Sequence, residues 1–410
     1  MLKKFLMTIT FIAMMTTAAE AAENLQEMFA QSSVRGDIRV LDFTRDFDTA
    51  NTRSDMAVGG LFYFNTAALH GVSFGLAFGT VNDIDSDDDD TVYGILAADE
   101  DGDHESFNRL QEYYVQGEWF KTKLKYGAQE INTPFLNADD GRLLPRTYKG
   151  LSVISNPIDN LTLSAYYLTD SMGWSDDHFI TLSQAVANES GGASSISEDK
   201  ALLIGGASYT LPVSAVKAVT EAWYYTIADI YNMTYLKANI SRDFGAVNVY
   251  VIPSVLYQKS QGDELNGELD TNQSGVRAGV KYAGFDVTGY YAKTGDDSIL
   301  FPWGHDKVIA QQVLGSSRAE EDAWAAKLAY DFSSVGVDGL SAYVWYAKYD
   351  VPSSKGNDMD ETDYNIQYAF SGVLKGLGVR FRYADINVDG GDSYNDVRYY
   401  LTYKFAFQGK

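Results

Sequence analysis

Arg380 and Arg382 stand two residues apart, as do Lys121, Lys123 and Lys125, and Arg35 and Arg39 flank Asp37. In an extended chain residues i and i+2 share a face, so each set makes a short row of fixed positive charge. A guanidinium offers forked donors that match a carboxylate, and an ammonium adds a compact charge. Rows of weak, closely spaced sites suit the handing-on of an anion better than its covalent conversion.

Other chemistries have less material. The chain has no cysteine, which removes disulfides and thiolate metal sites. His70, His104, His178 and His305 are scattered, and none sits with a convincing serine nucleophile, so no enzyme is expected. Between residues 83 and 105 there are eleven acids, including the run Asp87, Asp88, Asp89 and Asp90, and no Lys or Arg. That stretch reads first as a solvated loop. Asp385, Asn387, Asp389 and Asp396 repeat the spacing of a calcium loop, with Asp in place of the closing Glu. Calcium there is the one cofactor expectation.

The elements that carry these charges read as strands. In residues 397–407, Val397, Tyr399, Leu401, Tyr403, Phe405 and Phe407 fall on one face, and Arg398, Tyr400, Thr402, Lys404 and Ala406 on the other. The same rhythm gives runs at 33–43, 56–66, 71–80, 109–119, 121–129, 149–156, 160–169, 201–210 and 218–228. It continues at 231–241, 246–258, 273–283, 284–293, 322–332, 339–349, 362–371, 376–386 and 396–407. Eighteen is an even number, as a closed bacterial barrel requires, and strands of about 10 residues are long enough to cross a bilayer. The 29 tyrosines and 21 phenylalanines, often near run ends, suit girdles at two membrane interfaces. Connections are expected to alternate, with long outer ones at 44–55, 81–108, 130–148 and 170–200 and short turns between. Lys3 and Lys4, an apolar stretch and Ala19-Glu20-Ala21 fit a secretory leader over residues 1–21, leaving residues 22–410 as one domain. The fold expectation is an all-β, transmembrane antiparallel β-barrel of about 18 strands.

With the apolar register toward lipid, the lumen receives Arg35, Arg39, Lys121, Lys123, Lys125, Arg277, Lys281, Lys327, Arg380, Arg382, Arg398 and Lys404. The clearer inward acids are Asp37, Glu112, Glu118 and Asp286, so most of the net charge of −24 belongs to connections. If the ring closes, its last two strands adjoin its first. Arg398 then lies near the outer end, Arg382 and Arg39 at middle depth, and Arg380, Arg35 and Lys404 deeper. These form one basic ladder, and Lys121, Lys123 and Lys125 form a second. Small residues of the glycine-rich stretch 71–79 face inward, with Val72, Phe74, Leu76 and Phe78 toward lipid.

The segment 133–150 contains Arg142, Leu143, Leu144, Pro145, Tyr148 and Gly150, and it resembles the OprD-type outer-membrane porins of Gram-negative bacteria. Segments around Trp223 to Tyr231 and Tyr330 to Leu340 are similar to the same family. The resemblance implies an eighteen-stranded channel, often a homotrimer, whose third outer loop folds into the pore, with Arg142 and Arg146 near the constriction and Asp139 and Asp140 opposite in sign. It also implies handling of the carboxylates of amino acids or organic acids by the basic ladder. Small hydrophilic solutes, ions and outer-membrane lipid are the expected partners, and nucleic acid is not. A surface adhesin or structural barrel is the alternative, distinguished by a lumen that need not conduct ions.

Overall fold

Period-2 patterning closes into a ring. The computed structural model describes residues 22–409 apart from 87–89, 99–103, 140, 191–195, 197, 301–303 and 305. The expected leader, Asp140, His305 and part of the acidic run therefore lie outside the described residues. The ring runs β1 (Ser33–Phe47), β2 (Arg53–Asn65), β3 (Val72–Ser86), β4 (Phe107–Trp119), β5 (Thr122–Gln129) and β6 (Thr147–Ser155). It continues through β7 (Leu161–Met172), β8 (Leu202–Thr210), β9 (Lys217–Ile227), β10 (Tyr231–Phe244), β11 (Val247–Ser260) and β12 (Asp270–Tyr282). It ends with β13 (Phe285–Thr294), β14 (Asp322–Asp331), β15 (Leu340–Asp350), β16 (Met359–Ala369), β17 (Leu377–Val388) and β18 (Tyr394–Gln408). Each strand pairs antiparallel with the next, and β18 returns to β1 with Ser33 opposite Gln408 and Phe47 opposite Tyr394. This closure leaves no open edge, as backbone in hydrocarbon requires. A two-residue strand, Ile180–Thr181, pairs with the outer end of β7 without entering the ring.

All eighteen expected runs are strands. Their outward positions are apolar and open, with Phe74, Leu76 and Phe78 each exposed, as a lipid-facing band should be. Inner turns are tight: Phe120 and Lys121 take φ of 50° and 59°, the left-handed pair of a two-residue hairpin. The strands overshoot their expected lengths on the outer side. β1 extends to Phe47, β3 to Ser86, and β18 starts at Tyr394. The first and last outer connections shrink to 48–52 and 389–393, no longer than the inner turn 66–71. Alternation of long and short connections therefore fails at the ends of the chain, because these hairpins keep pairing above the membrane, and at its middle, where residues 228–230 alone join β9 to β10.

The inner face departs from a simple polar lining. Leu41 and Phe43 of β1, Leu61 of β2 and Val81 of β3 point inward and are buried against Ile95 and Leu96 of the second outer loop (87–106) and Leu143 and Leu144 of the third (130–146). A second apolar cluster joins Phe135 and Leu136 to the wall from β6 to β11 and to α1 (Leu182–Ser190) of the fourth outer loop (173–201). A third places Val308 and Ile309 of the seventh (295–321) on Ala323, Ala325, Trp345 and Tyr349. Burying such side chains stabilises each by about 1.5–3 kcal/mol, so four long loops are held inside the ring as firmly as a domain core.

Candidate functional site

The third loop is anchored where β4 breaks its alternation. The pairing of β3 with β4 shifts between Ala77 and Phe78, and this bulge turns both Gln111 and Glu112 inward. Gln111 Nε2 donates to Pro145 O at 2.7 Å, and Glu112 Oε1 accepts the Glu130 N–H at 2.7 Å, so one bulge grips both ends of the loop. Arg109 beside it donates from Nη2 to Pro145 O at 2.8 Å and from Nη1 to Gly173 O and Asp176 O at 2.7 and 2.6 Å. One buried guanidinium thus ties the third loop to the fourth. Across the lumen, Arg39 donates to Arg142 O, and Tyr400 Oη donates to Gly141 O at 3.2 Å.

Within that frame Arg142 stacks near Phe43 and Trp174, at 5.0 and 4.9 Å from the ring centroids, and Arg146 lies 4.0 Å over Trp174. Burial, aided by repulsion from Arg398, lowers Arg142 to about 10, which leaves it cationic at neutral pH. Asp139 takes a φ of 44° and its carbonyl accepts the Trp174 indole N–H at 2.9 Å. Arg142, Arg146 and Asp139 therefore sit together on the infolded loop.

The seventh loop also folds inward onto the wall. Arg277 donates to the carbonyls of Val308 and Asp306, each at 3.0 Å, and to that of Lys307. The Asp306 carboxylate gathers Lys237 at 2.6 Å, Tyr235 at 2.9 Å and Arg277 at 3.1 Å. Its N–H reaches Pro134 O at 3.1 Å, so the two infolded loops touch. Sequence reading placed Arg277 in the lumen but not this role, and it missed Arg109, Gln111 and Lys237.

The expected basic ladder is only partly assembled. Arg380 and Arg382 face the lumen from β17, and Arg380 Nε donates to Asn365 Oδ1 at 2.6 Å. Lys327 joins them from β14, its Nζ 4.0 Å over Tyr343 and 4.4 Å over Trp345. Among the described residues none of these three cations has a carboxylate within 4.0 Å. Arg35 lies 3.5 Å over Tyr63, and Lys125 3.9 Å over Tyr114.

Four residues are corrected. Lys121 belongs to the inner turn, with an exposed side chain 3.6 Å from Asp159, because the hairpin turns before the strand begins. Lys123 has the right face but lies at the inner rim, 3.7 Å from Glu118. Arg39 is buried, 3.8 Å from Asp37, and holds the third loop. Arg398 is buried and doubly bonded to Asp396 at 2.6 and 2.9 Å, so its charge is matched. The calcium set also fails to converge. Asp396 points inward to Arg398 and Arg45, whereas Asp385 and Asn387 alternate with the inward Ala384 and Ile386 and so face outward.

Comparison with known proteins agrees with this geometry. Residues 26–407 match the family model of the outer membrane porin, OprD family. The porin-like protein GalP of Pseudomonas putida is 26% identical over 295 residues, covering 70% of this chain and 69% of that protein. Among solved structures, Pseudomonas aeruginosa OccK9 (OpdG) superimposes with a TM-score of 0.83 at 24% identity, over 93% of this chain and 100% of that one. OpdK of the same organism, solved with vanillate, gives a TM-score of 0.82 at 19% identity over the same shares.

Proposed function

Because the chain belongs to the OprD family of outer-membrane porins, we propose that it passes small hydrophilic solutes by passive diffusion and favours those that carry a carboxylate. The family is one of channels, and its barrel places this chain in the outer membrane of a Gram-negative bacterium. The observation that carries the preference is the trio Lys327, Arg380 and Arg382. They are cations facing the lumen with no carboxylate within 4.0 Å among the described residues, whereas Lys237 and Arg398 are paired and Arg39 and Arg277 hold loops. Electrostatic attraction draws an anion to such a track, and forked guanidinium donors then favour a carboxylate over a spherical ion. Tyr343 and Trp345 beneath Lys327 supply rings against which an organic acid's apolar body packs. That a structural relative was solved with vanillate, an aromatic acid, supports the same class.

A homotrimer is part of the proposal. It is supported by a groove of about 600 Å³ on the barrel's outer face, lined by Phe64, Phe74, Leu76, Val115, Tyr126 and Tyr167. A single-barrel species on native electrophoresis in mild detergent removes that part. The channel itself is tested in planar bilayers, where purified protein should conduct and its reversal potential in a salt gradient should report the track. Silence in the bilayer overturns the channel. Liposome uptake of benzoate no faster than that of a neutral solute of equal size overturns the preference for carboxylates.

A further inference from the structure

The end of the seventh loop is a tight hairpin, with Gln311 N–H donating to Leu314 O at 2.9 Å and Ser316 N–H to Ile309 O at 3.0 Å. Three successive N–H groups of its tip point at two carboxylates of β16. Gln312 donates to Asp363 Oδ2 at 3.1 Å, Val313 to Glu361 Oε1 at 2.9 Å and Leu314 to Glu361 Oε2 at 2.6 Å. Both acids are almost fully buried, and their side chains lie against each other. A buried carboxylate without a cation is costly unless several hydrogen bonds compensate it, and here the backbone of the loop tip provides them.

The acids have cations within reach that they do not use. Register puts Lys327, Trp345 and Asp363 in one row across β14, β15 and β16, and sets Arg382 opposite Asn365, two residues along from Asp363. Asp363 feels both charges electrostatically, yet neither forms an ion pair within 4.0 Å among the described residues. The N–H groups of the tip take up Asp363 Oδ2 and both Glu361 oxygens, the acceptors that a cation would use.

We propose that the tip of the seventh loop sets the charge of the track. Docked, it occupies Glu361 and Asp363 and leaves Lys327 and Arg382 open to a solute. Undocked, the two carboxylates turn to those cations and neutralise them, so loop position and anion preference are coupled. The inference rests on the track proposed above.

The test replaces residues 311–314 by two glycines in the full chain, with folding checked by heat-modifiable migration on gels. Reversal potentials in a potassium chloride gradient give the ratio of anion to cation permeability. The shortened loop should lower that ratio by roughly threefold, the scale of one exposed ion pair. Adding Glu361→Gln and Asp363→Asn to the shortened loop should restore it, since a wider opening is common to both channels and only the acids differ. An unchanged or raised ratio in the first channel, or no recovery in the second, overturns the coupling. Lys327→Gln with Arg382→Gln in the intact loop separates the two readings. A lowered ratio there upholds the track even if the coupling fails, and an unchanged ratio overturns both.

Discussion

Arginine serves two ends in this lumen, and burial tells them apart. Arg398 is enclosed and matched by Asp396 of its own strand, which also takes Arg45 of β1 at 2.7 Å, so the three charges together tie β18 to β1. Among the described residues Arg382 has no carboxylate within 4.0 Å, and its Nε has no hydrogen-bond partner. The same substitution should therefore have opposite effects at the two positions. Arg382→Gln is expected to lower the anion-to-cation permeability ratio and to leave unfolding by denaturant unchanged. Arg398→Gln leaves Asp396 buried with only part of its donors and should cost about 3 kcal/mol of stability, with little change in selectivity among channels that fold. Reversal potentials and urea unfolding followed by tryptophan fluorescence distinguish the pair, and a selectivity loss at Arg398 equal to that at Arg382 contradicts the division.

At the scale of elements, the third loop depends on small residues in the wall behind it. A Cβ at Gly59 would lie 2.9 Å from the Leu143 Cβ, which belongs to the loop's own packed core and cannot swing aside. Gly59→Val is expected to push the loop off the wall into the lumen and lower single-channel conductance, with the hydrogen-bonded ring intact. Gly289, whose Cβ would meet nothing within 4 Å, is the control, and Gly289→Val should conduct as the parent does. Equal conductance in all three channels contradicts this account. The strands themselves were legible because period 2 is local: Val397 to Phe407 announce their own two faces. The site was less so. Gln111 faces inward only because a bulge breaks the count at Ala77 and Phe78, and no local pattern marks that break. Leu41 and Phe43 share the inward face of Arg35 and Arg39 by period 2, but nothing local shows that the second and third loops cover them. Glu361 and Asp363 share a face by the same i, i+2 rule as Arg380 and Arg382. Their partner lies some fifty residues away, in a loop whose sequence shows no strand rhythm.

For the whole molecule, two fields of opposite sign act at different depths. Most of the net charge of −24 sits on connections, where water and salt reach it, while Lys327, Arg380 and Arg382 lie within the ring beside aromatic rings. Screening treats these two populations differently. The Debye length falls from about 10 Å at 0.1 M to about 3 Å at 1 M salt, and exposed charges separated by more than that distance cease to act together. Acids at the outer mouth raise the local cation concentration at low salt and lose that effect as salt rises. Partly buried lumen cations are screened much less, and a solute passing at contact distance still meets them. The direction of the salt effect is thus fixed: raising potassium chloride from about 0.1 to about 1 M should shift the permeability ratio toward anions. A channel governed by lumen acids would stay cation-selective at about 1 M, and one with no internal charge would approach neutrality without crossing to anions. Removing the mouth acids Asp83, Asp85 and Asp90 by substitution to Asn should flatten the salt dependence while keeping the high-salt ratio. If the low-salt preference for cations persists in that variant, the acidic loops are not its source.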